Sequence, residues 1–334
     1  MNKHLSSIKK TAVLVAVSWL AIPAFAGIGG FIDAQVGGSK DVNLNSEIAD
    51  AAVYLSKELG RGKVMVDLPF SFSAANAALP APLGTSYDSA FRAFNTKAQA
   101  YVNWSYDFGL NWQLGRFDSP FLNEANDTVG LGPYATQGSV FALLPRMHNG
   151  LMLTYGTGPV SVMGIVSRDA GTVGAKADGE RFEYAVLGKY THDMMYAGAG
   201  YYTTHKARTA TTSNADSTIE VMAGTKISDW TIDAQAVFLK TDGVTDSGMG
   251  LGATINYAWD KTWTFGIRPN YTSKTIGHVT GGSDSEFELT VGPHMSMTDD
   301  FKVRANYTYT STKATANAKS VSDSAYTLSA VYKF

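Results

Sequence analysis

Between residues 27 and 334 apolar side chains recur at every second position, segment after segment. In Trp230–Phe238, Trp230, Ile232, Ala234, Ala236 and Phe238 share one face, and Thr231, Asp233 and Gln235 the other. Leu251–Trp259 repeats the pattern with Thr254 and Asn256 on its polar face, and Trp263–Tyr271 with Thr264, Arg268 and Asn270. Phe287–Met295 does so with Glu288, Thr290 and His294, and Phe301–Tyr309 with Lys302, Arg304, Asn306 and Thr308. A period of two is that of a β-strand. Brief polar breaks separate the segments at Asp193, Ser228-Asp229, Asp260-Lys261 and Thr298–Asp300. Longer stretches rich in Gly, Ser, Thr and Asp lie near 169–181, 207–216, 242–248, 275–284 and 314–324. A soluble sandwich would rarely confine charges to one face so many times at such length. A sheet in lipid has no solvent for its edges and must close, with an apolar outside, a wet inside and alternating short turns and long loops.

The pattern therefore predicts an all-β chain, a transmembrane antiparallel β-barrel of about sixteen strands. The segments are 28–38, 48–57, 63–73, 96–106, 108–117, 149–156, 159–168, 182–192, 194–205, 217–227, 230–240, 249–259, 262–273, 285–297, 301–312 and 325–334. Segment 48–57 also fits a short helix, which leaves fourteen strands as the alternative. Trp104, Trp112, Trp230, Trp259 and Trp263 lie in or beside strands, several at their ends, as in an interfacial aromatic girdle.

The N-terminus changes the picture from membrane to export. Lys3, Lys9 and Lys10 precede an apolar run from Thr11 to Pro23 and the small-x-small site Ala24-Phe25-Ala26. That order predicts a cleaved signal peptide over 1–26 and a barrel over 27–334. The alternative, a helical anchor, needs about 20 apolar residues, and this run is shorter. The 33 Gly, 17 Tyr and 16 Phe suit strands and turns, and cysteine is absent, so no disulfide or thiolate metal site is available. Losing three lysines with the signal leaves 24 basic against 29 acidic residues, a formal charge of −5. Nucleic acid, which needs a basic footprint, is excluded as a partner. The same charge predicts a mild cation preference for any aqueous pore. No cofactor is called for.

Tyr106-Asp-Phe-Gly-Leu-Asn-Trp-Gln-Leu-Gly-Arg116 resembles the fifth strand of the general bacterial outer-membrane porins. Leu55–Phe72, with the turn Glu58-Leu-Gly-Arg-Gly62, is similar to the join of their second and third strands. Gly115–Phe121 is also similar to phosphate-selective and related porins. The resemblance implies a sixteen-stranded Gram-negative outer-membrane barrel that passes ions and small hydrophilic solutes. It further implies a homotrimer surrounded by lipid and lipopolysaccharide, with segment 74–94 reaching a neighbouring subunit. A long third extracellular loop would follow the fifth strand and fold into the lumen, and here the unpatterned stretch 118–149 holds that position. The last segment, with Tyr326, Leu328, Ala330, Tyr332 and Phe334 on one face, resembles the signal read by the barrel-assembly machinery. Two features depart from the family: the acidic Pro-Glu-Phe loop motif is missing, and strands two to four show Lys97 and Asp67 in place of a basic cluster.

The expected constriction residues are Asp118, Glu124, Asp127 and Arg146, with Arg116 at the base of the loop. Alternation predicts that Asp67, Lys97, Glu183, Lys189, Glu220, Lys226, Asp233, Arg268, Glu288, Lys302 and Arg304 face the lumen. A surface loop with solvated charges is the alternative for 118–149. Two other functions stay open: a structural or adhesive barrel without a pore, and an outer-membrane hydrolase using His148 or His294 with a nearby Ser or Asp. No nucleophile-elbow, zincin or phosphate-loop motif occurs in the chain.

Overall fold

In a computed structural model the described residues are 27–39, 42–73, 98–121, 124–125, 127–168, 182–204, 217–240, 248–273, 285–313 and 319–334; for 42–49, 70–73, 128, 142, 168 and 204 this extends to the backbone only. The expected signal peptide, Lys97 and segment 74–94 lie outside these residues.

The strands are β1 (Gly27–Ser39), β2 (Val42–Leu59), β3 (Gly62–Ser73), β4 (Gln99–Ser105), β5 (Leu110–Asp118), β6 (Met147–Thr157), β7 (Val160–Arg168), β8 (Phe182–His192), β9 (Met195–Thr204), β10 (Ser217–Ile227), β11 (Trp230–Lys240), β12 (Gly248–Ala258), β13 (Trp263–Ser273), β14 (Ser285–Ser296), β15 (Phe301–Lys313) and β16 (Val321–Lys333). Each pairs antiparallel with its neighbours in sequence, and β1 pairs with β16 to close the barrel. The helix alternative for 48–57 is overturned: the segment lies within β2, paired with β1 and β3. Strand β2 also begins earlier than expected, with Val42 opposite Ser39.

Tight turns join β2 to β3, β4 to β5, β6 to β7, β8 to β9, β10 to β11, β12 to β13 and β14 to β15. Asp193 and Ser228 adopt φ of 49° and 52° there, a left-handed conformation that short polar residues tolerate. Both barrel ends meet at this rim: Lys333 N–H donates to the Asp300 carbonyl at 2.8 Å, and Gly27 lies opposite Ser56.

The usual burial order is inverted. Val160, Val162, Val166, Tyr184, Val186, Ile219, Val221, Phe265, Ile267 and Leu328 are exposed on the outer face. The next residue along each strand points inward, so Glu183, Glu220, Arg268, Thr290, Arg304 and Ser329 are buried. Water cannot supply the partner for that outer face, so its apolar surface requires hydrocarbon. Among the described residues no helix is long and apolar enough to cross a membrane; the strands do so instead.

Candidate functional site

The lumen is not empty of chain. The connection between β5 and β6, residues 119–146, packs against inward faces of strands around the barrel. Its apolar anchors are Phe121, Val140, Leu143 and Leu144. They bury against Phe117 of β5 and against Ile165, Ala185, Leu187, Tyr202, Met222, Val237 and Leu239 on β7–β11. These wall positions should be polar in a fully wet lumen; they are apolar where the connection covers them. Each such buried side chain contributes about 1.5–3 kcal/mol. On the other side, Val129 packs on Phe31, Ala52 and Val331 of β1, β2 and β16. At Gly266 the wall comes so close that a Cβ would lie 2.5 Å from Cγ of Pro133.

Polar contacts fix the middle of the connection to β13–β15 and β1. Arg304 Nη1 donates to the Tyr134 carbonyl at 3.0 Å, and Asn306 Nδ2 to the Pro133 carbonyl at 3.0 Å. Ala135 N–H donates to Asn306 Oδ1 at 2.7 Å, and Gln35 Nε2 to the Ala135 carbonyl at 3.0 Å. Tyr134 O–H donates to Asn256 Oδ1 at 3.0 Å. Arg268 holds the most: the Thr136 carbonyl at 2.5 Å, Glu124 at 3.2 Å, Glu288 at 3.5 Å and the Tyr134 ring at 4.7 Å. Burial pushes the Glu124 carboxyl up, against the opposing pull of the Arg268 guanidinium and the Gly138 N–H. Burial likewise raises the Tyr134 hydroxyl.

The base of the connection is held by a buried chain. Ser119 Oγ lies 3.1 Å from His148 Nε2, and His148 Nδ1 lies 3.1 Å from Ser167 Oγ. Ser167 Oγ donates in turn to Glu183 Oε2 at 3.3 Å. Both His148 ring nitrogens are thus engaged, and the ring is wholly buried.

The expected site residues are placed as follows. Asp118 accepts from Gln99 Nε2 at 2.9 Å, and Asp127 accepts from the Tyr54 hydroxyl at 3.0 Å. Glu124 pairs with Arg268. Arg146 is exposed, its guanidinium 4.9 Å from the Phe141 ring. Arg116 differs from expectation. It lies opposite Ala100 and Asn149, both exposed, and so shares the outer face with Leu114, while Phe117 and His148 take the inner one. Asp67, Arg268 and Arg304 face inward and are buried. Asp233 faces inward, accepting from Tyr196 O–H at 2.7 Å and Thr254 Oγ1 at 3.3 Å. Lys189 sits 5.1 Å over the Tyr196 ring. Asn256 and Asn306, expected on the polar faces of their strands, also hold the lumen network. Gln35, Tyr54 and Gln99 do so too and were not among the expected residues; the alternation of Gln35 with Asp33 and the pairing of Tyr54 and Gln99 with Asp67 mark them.

A closed sixteen-strand barrel with an apolar exterior and a charged interior defines an outer-membrane β-barrel of the porin class. The family described as "Putative beta-barrel porin-2, OmpL-like" matches residues 34–334, and the chain belongs to that family. Solved structures share the fold. OmpF of Salmonella typhi in complex with daunomycin superposes with a TM-score of 0.66 at 10% identity, over 92% of this chain and 97% of that one. An anion-selective porin from Comamonas acidovorans gives 0.62 at 14%, over 92% and 99%. OmpT of Vibrio cholerae, expressed in the outer membrane, gives 0.61 at 12%, over 92% and 97%. No curated protein matches the sequence.

Proposed function

We propose that the mature chain, residues 27–334, forms a water-filled channel for passive diffusion of ions and small hydrophilic solutes, constricted by the 118–149 region. The observation that carries this reading is the charged inner wall crossed by a connection tied to it on several sides. Solutes pass beside that connection, and Asp118, Glu124 and Asp127 set the field there with the wall residues. Confined charges act more strongly than charges in bulk water. The acidic groups on β3–β5, together with the charge of −5 after signal removal, favour cations. Segment 1–26 serves as the export signal. A homotrimer is the assembly we favour, a reading supported by the trimer form in which Vibrio cholerae OmpT has been solved. Hydrolysis is disfavoured because both ring nitrogens of His148 are engaged by serines, so no carboxylate orients the ring as a base.

Single-channel recording of the refolded mature protein in a planar bilayer tests the proposal. Stable steps that scale with salt, grouped in threes, with a reversal potential on the cation side, are expected. Folded protein that yields no steps would mean a structural barrel. Steps with a reversal potential on the anion side would overturn the cation preference alone.

A further inference from the structure

Among the described residues, Asp67 is a buried carboxylate for which the wall provides little. It is 1% exposed, its Oδ1 is buried without a hydrogen-bond partner, and its Oδ2 accepts from Gln99 Nε2 at 3.4 Å. Asp33, equally buried on the same side of the barrel, shows the contrast. Its two oxygens accept from Ser329 Oγ at 2.7 Å and Gln35 Nε2 at 2.9 Å. A buried carboxylate oxygen left open is costly unless something donates to it. Among the described residues Asp67 has no ion pair, and the Arg268 guanidinium is committed to Glu124 and Glu288.

The surroundings of Asp67 point to what would donate. Tyr54 faces it across the β2–β3 ladder and Gln99 across the β3–β4 ladder. The Tyr54 hydroxyl reaches Asp127, and the Gln99 amide reaches Asp118, so one row ties Asp67 to a carboxylate at the end of β5 and another in the first half of the connection. Tyr54, Gln99, Asp118 and Asp127 are half-exposed and rim the buried Asp67. Tyr101 shares the inner face two residues beyond Gln99. Among the described residues no three such groups converge as a metal site would need. The carboxylates are instead strung along the wall beside aromatic rings. An elongated organic cation fits that pattern: its N–H groups make charge-assisted bonds to several carboxylates, and its charge lies against a tyrosine face.

We propose that this wall of β2–β5 is a lumen subsite for solutes carrying an amine or guanidinium group, with Asp67 as its floor and Asp118 and Asp127 at its rim. The inference rests on the porin reading and specifies the solute class for which that pore would be selective.

The test uses refolded mature protein and agmatine, which carries a guanidinium at one end and an amine at the other. Added to conducting channels, agmatine should block wild type in a concentration-dependent way. Asp67→Asn should weaken the block at least tenfold while the channel still conducts, and Asp229→Asn, in an exposed turn, should leave it unchanged. Equal block of wild type and Asp67→Asn overturns the subsite and leaves the porin standing. If the folded wild type does not conduct, the porin reading fails, and calorimetric titration of agmatine into the detergent-folded protein decides the subsite separately. Heat of binding present in wild type and lost in Asp67→Asn upholds it; no heat in wild type overturns it.

Discussion

Arg268 is the residue on which the seating of the connection depends most. Its guanidinium joins Glu124, the Thr136 carbonyl, Glu288 and the Tyr134 ring while fully buried. Removing one member of such a buried set costs about 3–5 kcal/mol, because the remaining charge keeps its desolvation without its partner. In Arg268→Ala the loss should fall on the connection rather than the barrel. Limited proteolysis should then cut within 119–146, and current records should show larger, fluctuating steps, with the heat-resistant gel mobility of the barrel kept. Alternation along the strand made Arg268 and Arg304 legible as inward residues. Their partners were not legible, since the carbonyls of Pro133, Tyr134 and Thr136 have no side-chain signature. Arg116 shows the opposite failure. Its place beside an expected loop drew it into the lumen, while the parity counted from Leu114 and Phe117 sends it to the outer face. His148, read from sequence as a possible triad histidine, is a tie between two serines.

At the scale of the element, the strands carry two different surfaces on one backbone, and equal substitutions should have unequal costs. Val221, mid-strand in β10, is 47% exposed on the lipid face. Val221→Arg should destabilise the barrel by about 2–4 kcal/mol, the cost of a charge near the bilayer midplane. Thr264→Arg, at a half-buried inward position of β13, should cost far less. Urea unfolding of both variants in lipid vesicles measures the difference, and equal costs would contradict the assigned faces. Strands with unbroken alternation, β10 and β11 among them, end where the sequence pattern ends. Strand β2 was ambiguous for a physical reason. Its pairing shifts register between Ile48 and Ala51, and against β1 between Asp33 and Ala34. An irregularity of that kind breaks the period of two and leaves an alanine-rich stretch that reads equally well as a helix. Nor does alternation extend to the β5–β6 connection, whose apolar residues are matched to apolar wall positions on strands far away in sequence.

At the scale of the whole molecule, one seam turns a sheet into a barrel. Beyond the β1–β16 ladder, Gly30 and Phe334 exchange two backbone hydrogen bonds at 2.9 and 3.0 Å. Deleting Phe334 should therefore lower the temperature at which the refolded barrel loses its compact gel mobility. Phe334→Ala keeps the backbone bonds and should largely preserve that temperature. If the terminal ring also serves as the assembly signal, Phe334→Ala should reduce the amount of barrel reaching the membrane in cells; unchanged amounts would remove that role. The connection across the lumen has a mechanical consequence of its own. An unbraced cylinder one sheet thick ovalises at little cost when the surrounding lipid squeezes it. Here a strut bears on the β7–β11 side through Phe121 and Leu144, on the β13–β15 side through Pro133 and Tyr134, and on β1 and β2 through Val129. Tension in the bilayer is thereby resisted in compression by packed side chains, so the bore keeps its shape as the membrane around it changes.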